Sequence, residues 1–294
     1  VEMEVLVETL SLKPFQISIL LLIFAINSTL RLQGEKMVQE KKKPAQIIDG
    51  LWCAMNNFHM GTTAENIAKK FEITKKEQDE FATESQNKAE FAQKNDHFKA
   101  ETSSIVVKIK RDELIFNNDE FPRHGTTFEK VNSLKPVFEK DGSVSAGNAS
   151  GLNDGAAAVL IMRDDKAREL GLTPLVRLTS FATVGVDPSI MGIGPVPAVK
   201  KALESAGWKI NELDLIEANE AFAAQSLAVS KELQWDMKKV NVNGGAIALG
   251  HPIGASGTRI LVTLIHEMIR QEKKKGIATL CIGGGQGIAM CIER

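Results

Sequence analysis

The sequence predicts an α/β fold with a layer of helices on a mixed, mostly parallel sheet of five strands. From residue 175 onward, short apolar runs alternate with segments whose apolar residues recur at helical spacing. This alternation occurs three times before two further strands close the chain. Glycine and proline stand at the boundaries between the segments. An order of this kind is typical of βαβ units, whose strands run parallel.

Residues 1–43 differ in composition from the rest, and we interpret them as a leader or linker outside the folded domains. Residues 17–26 form an apolar run about half as long as a membrane-spanning helix. Acidic residues precede this run, where a secretory signal would carry positive charge. A leader foreign to the fold, an amphipathic helix and a targeting signal remain the alternatives for this segment.

Local signals place the elements between residues 44 and 173. Thr74 and Glu77 form a capping box, which predicts a helix that begins just after Thr74. Residues 105–109 and 114–116 have the composition of strands. Residues 118–153 are mostly irregular, and long irregular segments in compact domains are usually functional. The apolar residues 156–162 predict a strand buried on both faces, followed by a helix over 164–170 that ends at Gly171.

The remaining elements follow in a regular order. Pro195 and Pro197 begin a helix that ends at Gly207, and a second helix is predicted over 220–233. A third helix follows a glycine-rich loop, because apolar residues recur at helical spacing from Ile260 to Met268. Strands are predicted at 175–182, 213–218, 240–243, 277–282 and 288–292.

Composition excludes several classes of protein. The 294 residues carry a net charge of −1, which gives no general electrostatic reason to bind nucleic acid or an anionic membrane. The three cysteines, Cys53, Cys281 and Cys291, are too few and too scattered for a disulfide framework or a zinc site. We therefore expect reduced thiols in an intracellular protein, with no metal site, no membrane span and no nucleic-acid partner.

Three polar residues are predicted at or just beyond the carboxyl ends of strands, where ligands collect in sheets of this kind. His251 lies in a loop with five glycines, Asn219 follows the strand at 213–218, and Cys281 ends the strand at 277–282. Each residue alone also has an ordinary structural explanation: a hydrogen-bonded histidine, a helix cap and a small buried side chain. Their shared location favours a site.

The segments around these residues resemble the three C-terminal motifs of the thiolases, especially the biosynthetic acetyl-CoA acetyltransferases. They read Asn-Glu-Ala-Phe-Ala from Asn219, Gly-His-Pro-Ile-Gly-Ala-Ser-Gly from Gly250, and Cys-Ile-Gly-Gly-Gly-Gln-Gly from Cys281. Similar segments also begin at Asp49, His59, Arg123 and Gly147. The resemblance extends from about residue 49 to residue 294, and it implies a thiolase-like layered αβα fold.

The resemblance also implies a chemistry, in which an acyl group passes between coenzyme A and a cysteine and is then attacked by a second acetyl-CoA. His251 matches the imidazole that activates the nucleophile and donates to the thioester oxygen, and Asn219 matches the residue that holds a water there. Cys281 matches the thiol that moves the α-proton. The backbone amide of Gly283 matches a second oxyanion site. We expect the Cys281 thiolate to form more easily than in an apolar core.

For coenzyme A, which the resemblance makes a substrate with no permanently bound cofactor, similarity indicates two groups of residues. Leu51, His59, Arg123 and Ser150 match residues that contact coenzyme A, and a solvated surface residue is the alternative for Arg123. A guanidinium near a phosphate is chemically reasonable. Four further residues match the lining of the pantetheine path, namely Met60, Phe138, Ala146 and Phe222. Met191 is expected either to line the pocket or to pack in the core.

The chain departs from the family pattern at its N-terminal side. We interpret it as a loop domain that binds coenzyme A (44–152), a remnant of the first domain (153–173) and a complete C-terminal domain (174–294), with the N-terminal half largely missing. No cysteine precedes Cys53, which lies in the coenzyme A loop and lacks the surroundings of a nucleophile. The resemblance thus implies an acetyl-CoA C-acetyltransferase with impaired turnover that associates with thiolase subunits. A non-catalytic binder or a non-functional fragment is the alternative. A cytoplasmic location is expected, with the mitochondrion left open.

Overall fold

The computed structural model describes residues 3–6, 46–109 and 112–294. The apolar run at 17–26 and the charged segment at 36–43 lie outside the described residues. Within them the first elements in chain order are β1 (Met3–Leu6), a short π-helix (Gln46–Gly50), β2 (Trp52–Cys53), β3 (Phe58–His59), α1 (Met60–Lys70), α2 (Lys75–Lys94), β4 (Ile105–Ile109), β5 (Asp112–Phe116) and α3 (Phe128–Asn132).

The second part of the chain contains the larger elements. They are β6 (Leu160–Arg163), α4 (Asp164–Glu169), β7 (Val176–Gly185), α5 (Pro195–Ala206), β8 (Leu215–Ala218), α6 (Ala223–Leu233), α7 (Ala246–Leu249), α8 (Ser256–Arg270), β9 (Lys275–Ile282) and β10 (Gln286–Glu293). Short 3-10 turns occupy Pro188–Ile193, Ile210–Glu212 and Met237–Lys239.

Helix boundaries agree closely with the local signals in the sequence. The Thr74 hydroxyl accepts from the backbone N–H of Glu77, and the Glu77 carboxylate accepts from the N–H of Thr74, so the predicted capping box is confirmed. Helix α5 begins at Pro195 and ends before Gly207, whose φ is +69°. A left-handed residue at this position is the usual end of a helix and suits glycine.

The predicted mostly parallel, five-stranded sheet is wrong in its pairing. The structure describes six strands in the order β6-β1-β7-β10-β9-β8, and of their pairings only β8 with β9 is parallel. Strands β7, β8 and β9 do share one direction, as strand–helix alternation predicts. The last strand, β10, reverses direction after a glycine turn and lies between β7 and β9. It therefore runs antiparallel to both of these strands.

Two predicted strands also need correction. Residues 156–162 are not a fully buried strand: strand β6 begins only at Leu160, and Ala156 and Ala158 are exposed. Strand β6 pairs with β1 and is the last strand on its side of the sheet, so the described strands pair with it along one edge only. Residues 240–243 form no strand, although Val240 makes an isolated parallel bridge to Ile216 at the end of the sheet.

The sheet of the C-terminal part is covered by helices on both faces, so a layered αβα arrangement is present there. Neighbouring residues of one strand point to opposite faces, as the pleat requires. Ile216 and Ile277 pack in a core with residues of α5 and α6. Leu215 and Ala278, each next to one of these residues, pack in a second core with residues of α8. This arrangement fixes β8, β9 and α8, which carry the polar residues of interest.

Candidate active site

The loop that carries His251 is held by backbone contacts on its entry side. It follows the short helix α7, and Gly250 has a φ of +90°. A Cβ at Gly250 would stand 2.3 Å from the side chain of Asn153, so a larger residue does not fit there. The next backbone N–H, that of His251, donates to the carbonyl of Gly151 at 3.1 Å. The loop therefore has little freedom where the imidazole begins.

Both ring nitrogens of His251 face a polar side chain. Nδ1 lies 2.5 Å from the Ser256 hydroxyl, and this hydroxyl donates its own hydrogen to the carbonyl of Pro252 at 3.1 Å. The hydroxyl must then accept from Nδ1–H, because it has a single hydrogen to give. Nε2 is left with its lone pair, and it lies 3.4 Å from Nδ2 of Asn219. The network thus favours the tautomer in which Nε2 can take a proton.

The imidazole is neutral at physiological pH. Burial, and after it the positive charge of Arg259, lower the pKa of His251 to about 4. A neutral imidazole with a free Nε2 lone pair can act as a base. Once protonated there, the ring presents an N–H at the same point and can donate to a developing negative charge.

Asn219 is placed by the end of strand β8, one residue after Ala218. Its backbone N–H donates to the carbonyl of Thr279 on β9 at 3.0 Å, and the residue is 1% exposed. The Oδ1 atom is buried and has no hydrogen-bond partner in the described part of the chain. Buried amide oxygens are normally satisfied, so this acceptor is available to a small polar group beside His251.

Glu220 anchors the loop to the rest of the protein, and the sequence analysis gave it no role. Its buried carboxylate accepts from the Ser85 hydroxyl at 2.6 Å and from Asn241 Nδ2 at 2.8 Å. It also accepts from the N–H of Ile247 at 3.3 Å, and the Ser85 hydroxyl accepts from the N–H of Gly245. Burial raises the pKa of Glu220, and these hydrogen bonds oppose the rise. Helix α2 and the His251 loop are thereby joined.

Cys281 lies one residue before the end of β9, opposite Gly287 of β10. It is 8% exposed and belongs to an apolar cluster with Met60, Met191 and Phe222. Burial raises the pKa of the Cys281 thiol to about 12. The expectation that its thiolate forms easily is therefore wrong, because apolar side chains surround the sulfur and stabilise the neutral thiol.

Most residues predicted for the pantetheine path lie close to Cys281. Met60 and Phe222 belong to one buried apolar cluster with Cys281, and Phe138 and Leu51 pack against it. The rings of Phe138 and Phe222 meet edge to face with centroids 6.2 Å apart.

His59 also caps the N-terminus of helix α1. Its ring stacks on Phe138 at a centroid distance of 4.8 Å, and its Nδ1 accepts from the N–H of Gly61 at 2.9 Å. This hydrogen bond orients the ring toward the same cluster.

The remaining predicted residues are less closely gathered. Gly283 is exposed and borders the Cys281 cluster, since a Cβ there would lie 3.1 Å from Met60 Cε. Ser150 donates from its hydroxyl to the carbonyl of Ala221 at 2.9 Å. Arg123 and Ala146 are exposed, and the Arg123 backbone N–H is bound by Gln86 of helix α2. The structure thus brings neither Arg123 nor Ala146 into the Cys281 cluster.

Ser256 is a second residue that sequence reasoning missed. It stands in the glycine-rich motif and in the first turn of α8, where a hydroxyl commonly caps the helix. Its bond to His251, five residues earlier, could have been predicted from the tight turn at Pro252. In the described ranges no group of three or more His, Cys, Asp or Glu side chains is arranged to hold a metal ion, and no helix is long and apolar enough to cross a membrane.

Comparison with known proteins identifies the family. The profile of the thiolase C-terminal domain matches residues 172–294, and that of the thiolase N-terminal domain matches residues 7–165. The chain belongs to the thiolase family. The N-terminal profile begins inside the segment that we separated as a leader, so the expectation that this half is largely missing is not confirmed.

Individual relatives agree with this assignment. The chain is 59% identical over 262 residues to an acetyl-CoA acetyltransferase of Allochromatium vinosum, and the match covers 89% of this chain and 66% of that protein. It is 61% identical to an acetyl-CoA acetyltransferase of Pseudomonas aeruginosa, with coverage of 89% and 67%. The chain therefore spans about two thirds of the length of these relatives.

Solved structures give the same result. A Bacillus anthracis acetyl-CoA acetyltransferase matches with a TM-score of 0.81 at 52% identity, over 83% of this chain and 62% of that one. A human mitochondrial 3-ketoacyl-CoA thiolase in complex with CoA also matches with a TM-score of 0.81, at 45% identity, over 85% and 62% of the two chains.

Proposed function

We propose that this thiolase chain carries the proton-transfer half of an acetyl-CoA C-acetyltransferase, which joins two acetyl-CoA molecules into acetoacetyl-CoA and catalyses the reverse thiolysis. The observation that carries the proposal is the placement of His251 between Asn219 and Ser256, with the Nε2 lone pair facing the Asn219 amide at 3.4 Å, a long contact that a proton donor can replace. Acyl transfer needs both a base and a donor for the oxyanion, and one imidazole can fill these roles in turn.

Within this proposal Nε2 of His251 takes the proton from the thiol that attacks the thioester. The Nδ1–H group stays hydrogen-bonded to the Ser256 hydroxyl during this step. The resulting imidazolium then donates Nε2–H to the thioester oxygen as its negative charge develops. The buried Oδ1 of Asn219 accepts from a water whose second hydrogen faces the same oxygen. Burial disfavours the charged ring, which suits a charge that lasts only as long as the oxyanion beside it.

Cys281 is proposed as the group that moves the α-proton of the second substrate. Its high pKa keeps the thiol protonated at physiological pH, so it is well suited to protonate the departing enolate during thiolysis. In the synthetic direction the thiol first loses its proton to solvent, and the small fraction present as thiolate then takes the α-proton and becomes the thiol again. The N–H of the exposed Gly283 supports the enolate oxygen. The apolar surroundings of the sulfur exclude water from this step.

Coenzyme A is proposed to reach Cys281 along the cluster of Met60, Phe138 and Phe222. His59 would contact the pantetheine arm from its stacked position on Phe138, with Leu51 and Ser150 nearby. Arg123 and Ala146 would meet the nucleotide and the outer pantetheine at the exposed end. An exposed guanidinium suits a phosphate that stays partly solvated.

We further propose that turnover by these 294 residues is impaired. None of the three cysteines stands in the setting that the resemblance implies for a nucleophile, and Cys53 is fully buried. Loss of one member of a nucleophile–base pair typically costs on the order of 10⁶ in kcat. The division into 44–152, 153–173 and 174–294, the pairing with thiolase subunits and a cytoplasmic location belong to the same proposal.

A non-catalytic coenzyme A binder is the second candidate, favoured by the apolar cluster around Phe138 and Phe222, and a non-functional fragment is the third. Acetoacetyl-CoA thiolysis by the purified chain, with calorimetric titration of CoA, separates the three. The proposal predicts CoA binding that weakens in Arg123→Ala, together with slow thiolysis that disappears in His251→Ala. Binding with no turnover at all supports the binder, and no binding supports the fragment. Turnover within about a hundredfold of ordinary enzyme rates contradicts the impairment.

A further inference from the structure

A buried carboxyl and a mostly buried guanidinium lie on the two elements that flank the imidazole site. Oε2 of Glu217 on strand β8 stands 3.7 Å from an Nη1 atom of Arg259 on helix α8, and their side chains are 3% and 20% exposed. At this distance the two groups do not form a hydrogen bond. Glu217 Oε2, Arg259 Nε and Arg259 Nη1 are all buried without a hydrogen-bond partner among the described residues. A pair of this kind contributes little to stability, because desolvation offsets the attraction between the charges.

Arg259 is also unfavourably placed with respect to its own helix. It lies in the first turn of α8, where the helix carries partial positive charge and a cation is disfavoured. Two carboxyl groups lie near it, and they offset its charge only in so far as they are ionised. Glu217 is the nearer, and Glu101 accepts from Thr263, one turn further along α8, at 3.1 Å. Burial raises the pKa of Glu217 to about 8 and that of Glu101 to about 7, and in each case the charge of Arg259 opposes the rise.

The position of the pair relates it to His251. Glu217 precedes Asn219 by two residues on β8, and Arg259 follows Ser256 by three residues on α8. Asn219 and Ser256 are the side chains that face Nε2 and Nδ1 of the imidazole. The Glu217–Arg259 pair thus joins the two segments that carry these side chains, within one helical turn of Ser256 along α8.

We propose that Glu217 and Arg259 are positioning residues for His251, which hold α8 against β8 so that Ser256 and Asn219 engage both nitrogens of the imidazole. Arg259 acts on the ring also through its charge, since it favours the neutral form. The inference rests on the proposed function, in which His251 moves the proton. Its consequence is nevertheless a property of the imidazole itself, which can be measured without turnover.

Nitrogen NMR of the full chain labelled at histidine tests the proposal. The wild-type His251 ring should show the Nδ1–H tautomer and stay neutral to well below pH 6. Arg259→Met should raise the titration midpoint of His251 and weaken the preference for that tautomer. Arg259→Lys should restore the midpoint, because the charge returns. Glu217→Gln, almost isosteric with the original side chain, should shift the tautomer ratio even if Arg259→Met fails to fold. His251→Asn identifies the signal.

Thr263→Val is the matched control, because it removes a hydrogen bond to Glu101 on the same face of α8 but leaves the Glu217–Arg259 pair. It should lower thermal stability and leave the His251 signals unchanged. If Glu217→Gln and the folded Arg259 variants also lower stability and leave the His251 midpoint and tautomer unchanged, the pair is merely structural and the inference is overturned. A wild-type chain without thiolysis activity would refute the proposed function alone, since the imidazole readout does not depend on turnover.

Discussion

The carboxylate of Glu220 accepts a hydrogen bond of 2.6 Å from the hydroxyl of Ser85, which precedes it by 135 residues in the chain. This contact joins helix α2 to the loop that positions His251. The same hydroxyl accepts from the backbone N–H of Gly245, at the start of that loop. A single hydroxyl group thus satisfies a buried acceptor and a buried donor.

Ser85→Ala should lower the free energy of unfolding by about 1–3 kcal/mol. It leaves the buried N–H of Gly245 without a partner, and it leaves Oε2 of Glu220 with only the longer hydrogen bond from the N–H of Ile247. Urea denaturation of both proteins measures the effect. Ser133→Ala removes an exposed hydroxyl that donates to the carbonyl of Lys130, and it should change stability by less than about 0.5 kcal/mol. Equal effects of the two substitutions would contradict the anchoring role of Glu220.

Gly250→Ala should disturb the His251 loop more than an ordinary glycine substitution. The residue has a φ of +90°, and a Cβ there would overlap the side chain of Asn153. Gly207→Ala is the matched control, since Gly207 has a φ of +69° and open space around its Cβ. The control should cost about 1 kcal/mol of strain. Gly250→Ala should cost more and also displace the His251 NMR signals, whereas identical losses would show that Asn153 yields easily.

Stability should fall as the pH decreases from about 6.5 to 4, and His251 should account for part of this loss. The pKa of His251 is lowered in the folded protein from 6.5 to about 4, so the unfolded chain binds more protons in this range. The stability contributed by the neutral ring is present above pH 6.5 and amounts to about 3 kcal/mol. His251→Asn should reduce the loss of stability between pH 6.5 and pH 4, which is measured as the urea midpoint at each pH. Ser133→Ala, which keeps all five histidines, should leave the dependence unchanged, and a curve common to all three proteins would contradict the burial of the ring.

Cys281 should react slowly with iodoacetamide at neutral pH, in contrast to the expectation from sequence alone that its thiolate forms more easily than in an apolar core. Burial raises the pKa of both thiols, to about 12 for Cys281. The thiolate of Cys281 is therefore rare in the folded protein, and mass spectrometry should find it unlabelled until denaturant is added. Rapid labelling of Cys281 ahead of Cys291 in the folded chain would show that the sulfur is not enclosed by Met60 and Phe222.

The same shift gives a stability prediction at alkaline pH. The folded-state pKa of Cys281 lies above its ordinary value of 9.0, so the stability that it contributes is present below pH 9 and decreases as the pH rises further. Cys281→Ala should remove this part of the alkaline loss.

Local signals in the sequence were sufficient for most helices and strands. The capping box at Thr74, the proline at 195 and the glycine at 207 each act within one turn of the chain, and the helix ends follow from them. Strand pairing depends on contacts between distant residues. The place of β10 between β7 and β9 therefore could not be predicted from the alternation of strands and helices.

The site residues also divide into those that local motifs predict and those that depend on distant contacts. Asn219 and His251 were predicted from their motifs, and the structure brings them into contact. Glu220, Ser85 and Arg259 were missed, because their partners lie on other elements and no motif pairs them. The high pKa of Cys281 was missed for a related reason: the apolar residues around the sulfur come from α1 and from the segment after β8.

The central claim is that Asn219, His251 and Cys281 form a working proton-transfer site. Exchange of the acetyl methyl protons of acetyl-CoA in D₂O, followed by NMR, tests it most directly, because enolisation needs no nucleophilic cysteine to carry the acyl group. The purified chain should exchange these protons faster than the buffer alone does. This exchange should increase with pH toward 9, be lost in Cys281→Ala and be strongly reduced in Asn219→Ala and His251→Ala, while Ser133→Ala behaves as wild type. Exchange at the buffer rate by a chain that binds CoA, or exchange that persists in Cys281→Ala, would contradict it.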